Sequence, residues 1–387
     1  MSVEAEAETK IKIFHCADLH LDSPFSLSTP AQAEQRKIEL RSAFTSAIMV
    51  AKQEKVELFF ISGDLFDSEY VTRDTAELLI SEFNSFPDCR FFISPGNHDP
   101  YNDISPYKTV AFPQNVHIFG GIKEKVEIPE LNVNVYGVGF TSMTYMSSPA
   151  VGYGQLDKSK INILVCHGDM TSPLSSNGPV TKAEIAQSGF DYIALGHIHA
   201  PSGVCKEGGT YYAYPGCLEG RSFDEPGYHG ALIGTVSKGE VNLKSMRFSK
   251  RRYETIRVDV TDVYGKSAII ETIRGIIRPY GNDTAIRVIM TGTVPEPFII
   301  TPAEIGKGYE YPFRIEIIDS TVPSIDFTKL ERDTTLKGVF YSKMTDRLSK
   351  CVPGGDDYAK LLMALKYGIS ALYDRNIIDF GGGEGNE

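Results

Sequence analysis

Five short polar stretches fall in order along the chain: Asp18-Leu19-His20, Gly63-Asp64-Leu65-Phe66-Asp67, Gly96-Asn97-His98-Asp99, Cys166-His167-Gly168-Asp169 and Gly196-His197-Ile198-His199. Each follows a short apolar run rich in β-formers, which puts it where a strand stops and a loop opens, the usual place for a ligand in an α/β sheet. A fold that satisfies all five must bring several strand ends to one place. One such stretch would be weak evidence, whereas five in series constrain the architecture strongly.

From Ile11 the pattern alternates strand and helix. Ile11 to Cys16 reads as a strand, and Leu40, Ala43, Phe44, Ala47, Ile48 and Ala51 share one face of a long helix. Glu57 to Ser62 is the next strand, Asp74 to Phe86 a helix, and Cys89 to Ser94 a third strand. This βαβαβ order implies parallel strands. Later strands near Val133–Val138, Ile161–Cys166, Tyr192–Leu195, Thr210–Tyr214 and Ala231–Val236 have shorter connections and suggest a second sheet packed on the first.

The expected fold class is α/β: a two-sheet α/β sandwich over residues 11–248, a small α+β capping domain over 249–322, and a helical C-terminal segment over 323–387 that offers a partner-binding surface or simply packs on its own domain. Residues 1–10, with Glu4, Glu6 and Glu8 alternating with Ala, read as a disordered tail. In the C-terminal segment Leu336, Val339, Phe340, Met344 and Leu348 share a helix face, as do Tyr358, Leu361, Leu362, Leu365, Ile369 and Leu372, with Pro353-Gly354-Gly355 between the two helices.

At 387 residues the chain is long enough for two or three domains with ample core. The net charge of -11 argues against a broad nucleic-acid-binding surface, so any polyanion would be held locally. The six cysteines form no CxxC pair and read as reduced structural thiols. No apolar run is long enough to span a bilayer and the N-terminus has no signal-peptide pattern, so a cytoplasmic protein with no membrane association is expected.

Hydrolysis of a phosphoester needs a strong nucleophile at neutral pH, neutralised oxyanions and a protonated or stabilised leaving oxygen; two adjacent divalent cations supply the first two. Carboxylates and imidazoles are the donors such a pair requires. His197 and His199, two apart on an extended segment, should face the same side. With all five motifs present over residues 11–200, the chain resembles the calcineurin-like metallophosphoesterase superfamily. The ADLHLDSPF stretch from Ala17 to Phe25, with GDLFD and GHIHAP, resembles the SbcD-type DNA-repair exonucleases, closest to the YhaO-like branch.

The resemblance implies that Asp18, His20, Asp64 and His199 hold one metal, that Asp64, Asn97, His167 and His197 hold the other, and that Asp64 bridges them around a shared hydroxide. It implies that His98 faces the scissile phosphate as general acid or transition-state stabiliser, with Asp67 orienting its imidazole. The two cations are expected to be manganese, although the donor set also tolerates iron and zinc. It further implies a 3-prime to 5-prime DNA exonuclease, with or without endonuclease activity, acting in repair as a homodimer with an SMC-like SbcC-type ATPase.

Arg221, in a Gly-containing loop after a strand, reads either as a bidentate grip on a substrate phosphate or as a salt-bridge partner. Asp22, Asp99 and Asp169 divide between supporting the site and ordinary turn roles, and His15, His117 and His229 read as ordinary histidines. Two other functions share the same residues: a small-molecule phosphodiesterase or phosphatase using the same metals, and a scaffold subunit with an idle site.

Overall fold

The computed structural model describes residues 9–25, 29–68, 70–294, 300–306, 312–323, 327–352 and 355–372. Most of the expected tail, the Pro353-Gly354 break and the segment after 372 lie outside the described residues. The chain divides into two compact units, Met1–Tyr253 and Glu254–Glu387.

Two six-stranded sheets make up the first unit. One has the order β12-β11-β1-β2-β3-β4, formed from β1 (Ile11–Cys16), β2 (Leu58–Ile61), β3 (Arg90–Ile93), β4 (Val116–Ile118), β11 (Gly230–Ser237) and β12 (Glu240–Arg247). The other runs β5-β6-β7-β8-β10-β9, from β5 (Glu124–Ile128), β6 (Val133–Val138), β7 (Ile161–His167), β8 (Tyr192–Gly196), β9 (Cys205–Glu207) and β10 (Thr210–Ala213). Strands β1 to β4 are parallel, as the βαβαβ reading requires.

Helices α1 (Pro30–Gln53) and α2 (Arg73–Asn84) cover the outer face of the first sheet; α3 (Pro106–Thr109) is a single turn, and α4 (Lys182–Ser188) packs on the outer face of the second. The helix starts are written locally. Thr29 accepts from the Gln32 N–H ahead of Pro30, Thr72 caps α2, and Thr181 and Glu184 form a reciprocal capping box on α4. The apolar stripe from Leu40 to Ala51 is buried along its whole length against β1, β2 and β3.

Between the sheets lies a second core of Ile13, Leu58, Phe60, Phe92, Val135, Ile163 and Val165. One polar ladder crosses it. Ser62 Oγ donates to the Ala194 carbonyl (2.9 Å), His15 Nε2 lies 3.1 Å from Ser62 Oγ, and His15 Nδ1 lies 2.8 Å from the Tyr192 hydroxyl. Because the serine hydroxyl is committed to Ala194, His15 donates through Nε2 and accepts through Nδ1, as a neutral imidazole does. Burial depresses its pKa to about 3.

One strand differs from the sequence expectation. β11, placed by its short connection in the second sheet, lies in the first, antiparallel to β1 with Ile11 opposite Val236 and Ile13 opposite Gly234. Its alternate residues feed both cores, Ala231 and Ile233 against α1 and its neighbours, Leu232 and Val236 between the sheets. A strand that is apolar on both faces belongs at a position covered on both sides, which connection length does not reveal.

In the second unit β13 (Arg252–Asp259), β14 (Thr284–Thr291) and β16 (Arg314–Asp319) form a three-stranded sheet, and α5 (Lys266–Ile277) packs on it through Ile269, Ile273 and Ile277. The short β15 (Thr293–Val294) and β17 (Val322–Pro323) pair in parallel, α6 (Pro302–Gly306) lies against α5 and β16, and α7 (Phe327–Glu331) lies against the helix that follows it. α8 (Leu336–Leu348) and α9 (Asp356–Leu372) share a small core of Tyr341, Met344, Leu348, Leu365 and Ile369. The packed face of α8 is thus Tyr341-Met344-Leu348, and Leu336 and Val339, expected on it, are exposed.

Candidate metal centre

The ends of β1, β2, β3, β7 and β8 deliver the five polar stretches to one place. The backbone is bent hard to do so: Asp18, His20, Asp64 and His197 all have positive φ (53°, 44°, 50° and 103°), a region that costs L-residues free energy and that recurs where function fixes a side chain. Neighbouring glycines make room. A Cβ on Gly63 (φ 90°) would stand 2.1 Å from His167 Nδ1, and one on Gly96 would stand 2.2 Å from Asp64 Oδ1.

Three groups of potential ligand atoms, each mutually within 4.8 Å, occupy this place: Asp18, His20 and His199; His20, Asp64 and His98; and Asp18, Asp64 and His167. The first gathers three of the four residues that the resemblance assigns to one metal. Asp18, His20 and Asp64 each recur in two of the groups and are nearly fully buried. Asp64 Oδ2 lies 3.7 Å from His20 Nε2 and 3.5 Å from His167 Nε2, while its Oδ1 accepts the His98 N–H at 3.0 Å.

His20 and His199 face each other through their Nε2 atoms. His20 Nε2 and His199 Nε2 are 3.2 Å apart, while their Nδ1 atoms turn outward, His199 to Glu225 Oε1 at 2.6 Å and His20 to Asp67 Oδ1 at 2.9 Å. His167 repeats the pattern: Nδ1 donates to the Ser62 carbonyl (2.9 Å), and Nε2 meets the Asn97 amide oxygen at 3.0 Å. With neutral rings protonated at Nδ1, acceptor would face acceptor at both pairs, an arrangement that a cation between them would relieve. The Nδ1 hydrogen bonds of His199 and His167 are of the kind that sets the tautomer of a ligating histidine, whereas His20 Nδ1 lies within ion-pair distance of Asp67 without a hydrogen bond. The residues present fit a pair of divalent cations.

The electrostatics agree. Burial pushes the Asp64 carboxyl up, but His167, His20, His98 and the His98 N–H outweigh it and hold it at about 2. Burial likewise raises Glu225, and His199 and Arg221 bring it down to about 2. His20 is lowered, chiefly by burial. Against burial, Asp64 and Asp18 raise His167 and Glu225 raises His199, so the site carries a negative potential that divalent cations would balance.

His197 lies outside the three groups; its ring sits 5.1 Å from that of His167, its N–H donates to both oxygens of Asp18 (3.1 and 3.2 Å), and its Nε2 is 3.8 Å from Asp169 Oδ2. His98 stands at the open side of the centre, its side chain 43% exposed, with its ring edge-on to His20 at 4.7 Å. The link expected between His98 and the Asp67 carboxylate takes another form. His98 Nδ1 lies 3.3 Å from the Asp67 carbonyl and 3.9 Å from its carboxylate, because that carboxylate is taken by His20 and by Arg221 Nη1 (2.8 Å).

Arg221 also differs from the phosphate-gripping alternative. Its guanidinium spans the carboxylates of Asp67 and Glu225, with Nη2 3.4 Å from Glu225 Oε1. Asp99 is fully buried and ties two site loops together, accepting from the N–H groups of Gly96 (2.7 Å) and Phe66 (3.1 Å) and from the Tyr107 hydroxyl (2.5 Å). Asp22 accepts from Thr72 and Thr75 at the start of α2, and Asp169 from Thr171. Glu225 escaped the sequence reading. Its place, four residues beyond Arg221 in a loop with no ligand-like spacing, carried no signal that periodicity or motif could register.

Residues 11–201 match the family model described as calcineurin-like phosphoesterase. The chain is 28% identical over 312 residues to the uncharacterized metallophosphoesterase YhaO of Bacillus subtilis, covering 76% of this chain and 75% of that one. Among solved structures it is similar to TT1561 of Thermus thermophilus (11% identity, TM-score 0.34, 60% of this chain and all of that one) and to a dimetal phosphatase from Danio rerio (10%, 0.35, 63% and all). It is also similar to the purple acid phosphatase PPD1 of yellow lupin (11%, 0.33, 54% and 44%). No helix among the described residues is long and apolar enough to cross a membrane.

Proposed function

We propose, from the match of residues 11–201 to the calcineurin-like phosphoesterase model, that this chain is a dimetal-dependent phosphodiesterase acting on DNA. The observation that carries the metal-dependent chemistry is the meeting of His20 Nε2 and His199 Nε2 at 3.2 Å with both Nδ1 atoms turned to carboxylates. Asp18, His20, Asp64 and His199 would hold one cation, and Asp64, Asn97, His167 and His197 the other. Two divalent cations there, manganese in this reading, would activate water and neutralise the phosphoryl oxygens.

The chain's own residues do the rest. Asp64, nearly fully buried between His20 and His167, keeps the two donor sets in register. His98, the most accessible imidazole of the cluster, is placed to protonate or stabilise the leaving oxygen, and its backbone N–H holds Asp64 while its ring stays free to meet substrate.

DNA as substrate is supported by the ADLHLDSPF stretch and by the separate unit of residues 254–387, which a small-molecule diesterase has less need of. The 312-residue likeness to YhaO extends beyond the phosphoesterase segment, in keeping with a shared two-unit plan. On this reading the enzyme is a cytoplasmic repair exonuclease of SbcD type, working 3-prime to 5-prime as a homodimer beside an SMC-like ATPase. The test is hydrolysis by the manganese-loaded full chain of end-labelled linear duplex DNA, bis-p-nitrophenyl phosphate and cyclic nucleotides. Shortening from the 3-prime ends supports the reading; cleavage of cyclic nucleotides with DNA left intact replaces it with a small-molecule diesterase.

A further inference from the structure

We infer that Arg221 and Glu225 form a positioning device for one of the two cations, the one that His20 and His199 would share. This inference rests on the dimetal reading above. It concerns no residue that would touch metal or substrate, and it explains why a loop without a ligand lies against the centre.

The device is built from shared oxygens. Asp67 Oδ1 lies 2.9 Å from His20 Nδ1 and accepts from Arg221 Nη1 at 2.8 Å; Glu225 Oε1 lies 2.6 Å from His199 Nδ1 and 3.4 Å from Arg221 Nη2. One planar guanidinium thus bridges the two carboxylates behind the two imidazoles whose Nε2 atoms meet. Arg221 Nη1 also donates to Ser23 Oγ (3.3 Å), and the Arg221 N–H donates to Glu225 Oε2 (2.5 Å), so the loop closes on itself. The arginine is mostly buried, with its side chain 18% exposed, and its buried Nε has no hydrogen-bond partner among the described residues.

A fork with fixed spacing holds two carboxylates at a set separation, which a flexible point charge does not. Glu225 then fixes the His199 plane through its Nδ1 hydrogen bond, and Asp67 sets the charge beside His20 Nδ1 at 2.9 Å, leaving each Nε2 as the donor to metal. Among the described residues no arginine-bridged carboxylate backs His167, whose Nδ1 is held by the Ser62 main chain. Removing Arg221 should therefore disturb one cation site and spare the other.

The test is manganese binding to the EDTA-stripped full chain, followed by calorimetry and by the electron paramagnetic resonance signal of free Mn²⁺. Wild type should take up two ions. In Arg221→Met one of the two affinities should fall about 10- to 100-fold, the range for loss of such outer partners, while the other stays within about 2-fold. Arg221→Lys should recover part of the loss, and Glu225→Gln should weaken the same ion. Turnover of bis-p-nitrophenyl phosphate by Arg221→Met should return toward wild type at saturating manganese with KM unchanged.

Two unchanged affinities with a raised KM would overturn the inference and return Arg221 to substrate binding. An equal fall of both affinities, with a lower melting temperature in EDTA, would overturn it in favour of a general structural role. Failure of the wild type itself to bind two manganese ions would instead remove the dimetal reading on which the inference stands.

Discussion

His20 and His199, 179 positions apart in sequence, meet through their Nε2 atoms at 3.2 Å, and each turns its Nδ1 toward a carboxylate from a different loop. Ordinary imidazole pairs have no reason to adopt this arrangement. It costs backbone strain at His20 and burial of the Asp18, Asp64 and Glu225 carboxylates, and it becomes favourable when a cation occupies the gap.

Removing one partner should therefore remove metal and the stability that comes with it. In His199→Ala the manganese content after dialysis, read by elemental analysis, should fall from two ions per chain to one or fewer. Manganese at 100 times its Kd should raise the wild type's unfolding free energy by about 2.7 kcal/mol per site and the variant's by correspondingly less. Equal metal content in the two proteins would refute the assignment of His199.

His98→Ala separates chemistry from metal holding. Its backbone N–H still reaches Asp64, so the centre should keep both ions, whereas turnover of a diester with a poor leaving group should drop about 10²- to 10⁴-fold. With p-nitrophenolate, which leaves without a proton, the loss should be smaller. A comparable loss on both substrates would count against proton donation.

Gly63 has no tolerance for a side chain. At φ 90° an alanine is strained, and its Cβ would overlap the imidazole of His167. Gly63→Ala should cost at least about 1 to 3 kcal/mol in chemical denaturation and displace His167, lowering manganese affinity along with stability. Wild-type stability and metal content together would show that the β2 loop is laxer than it looks.

His15 should shape the acid limb of stability. Its pKa in the folded chain, about 3 because of burial between the sheets, lies below the unfolded value of 6.5, so between these the unfolded chain takes up a proton that the folded chain refuses. The stability it contributes is present above pH 6.5 and lost as pH falls toward 3, up to about 5 kcal/mol. Urea titrations of EDTA-treated protein at pH 7, 6, 5 and 4 should show the gap between wild type and His15→Gln narrowing with acid. A gap constant with pH would mean that His15 titrates normally.

Much of this molecule was legible before folding because its information is local. A strand of apolar β-formers followed by Asp-x-His or Gly-Asn-His announces a loop with ligands, and the stripe from Leu40 to Ala51 announces a helix and its buried face; both depend on neighbours a few positions away. The ends of β1, β2, β3, β7 and β8 converge because parallel strands present their C-terminal ends on one edge.

What chain order could not state is which distant groups share an atom. Asp67 follows Asp64 by three residues and precedes His98 in the neighbouring motif, yet its carboxylate lies against His20 and Arg221, the latter 154 positions away. Glu225 backs His199 from a loop without periodicity, and β11 enters the first sheet because both its faces are apolar and β1 had an open edge to pair with. Residue types and spacing determined the donor chemistry and the strand-helix order. Only packing, which brings segments together by burial and charge rather than by sequence, decided which carboxylate holds which imidazole, and so where each ion would sit.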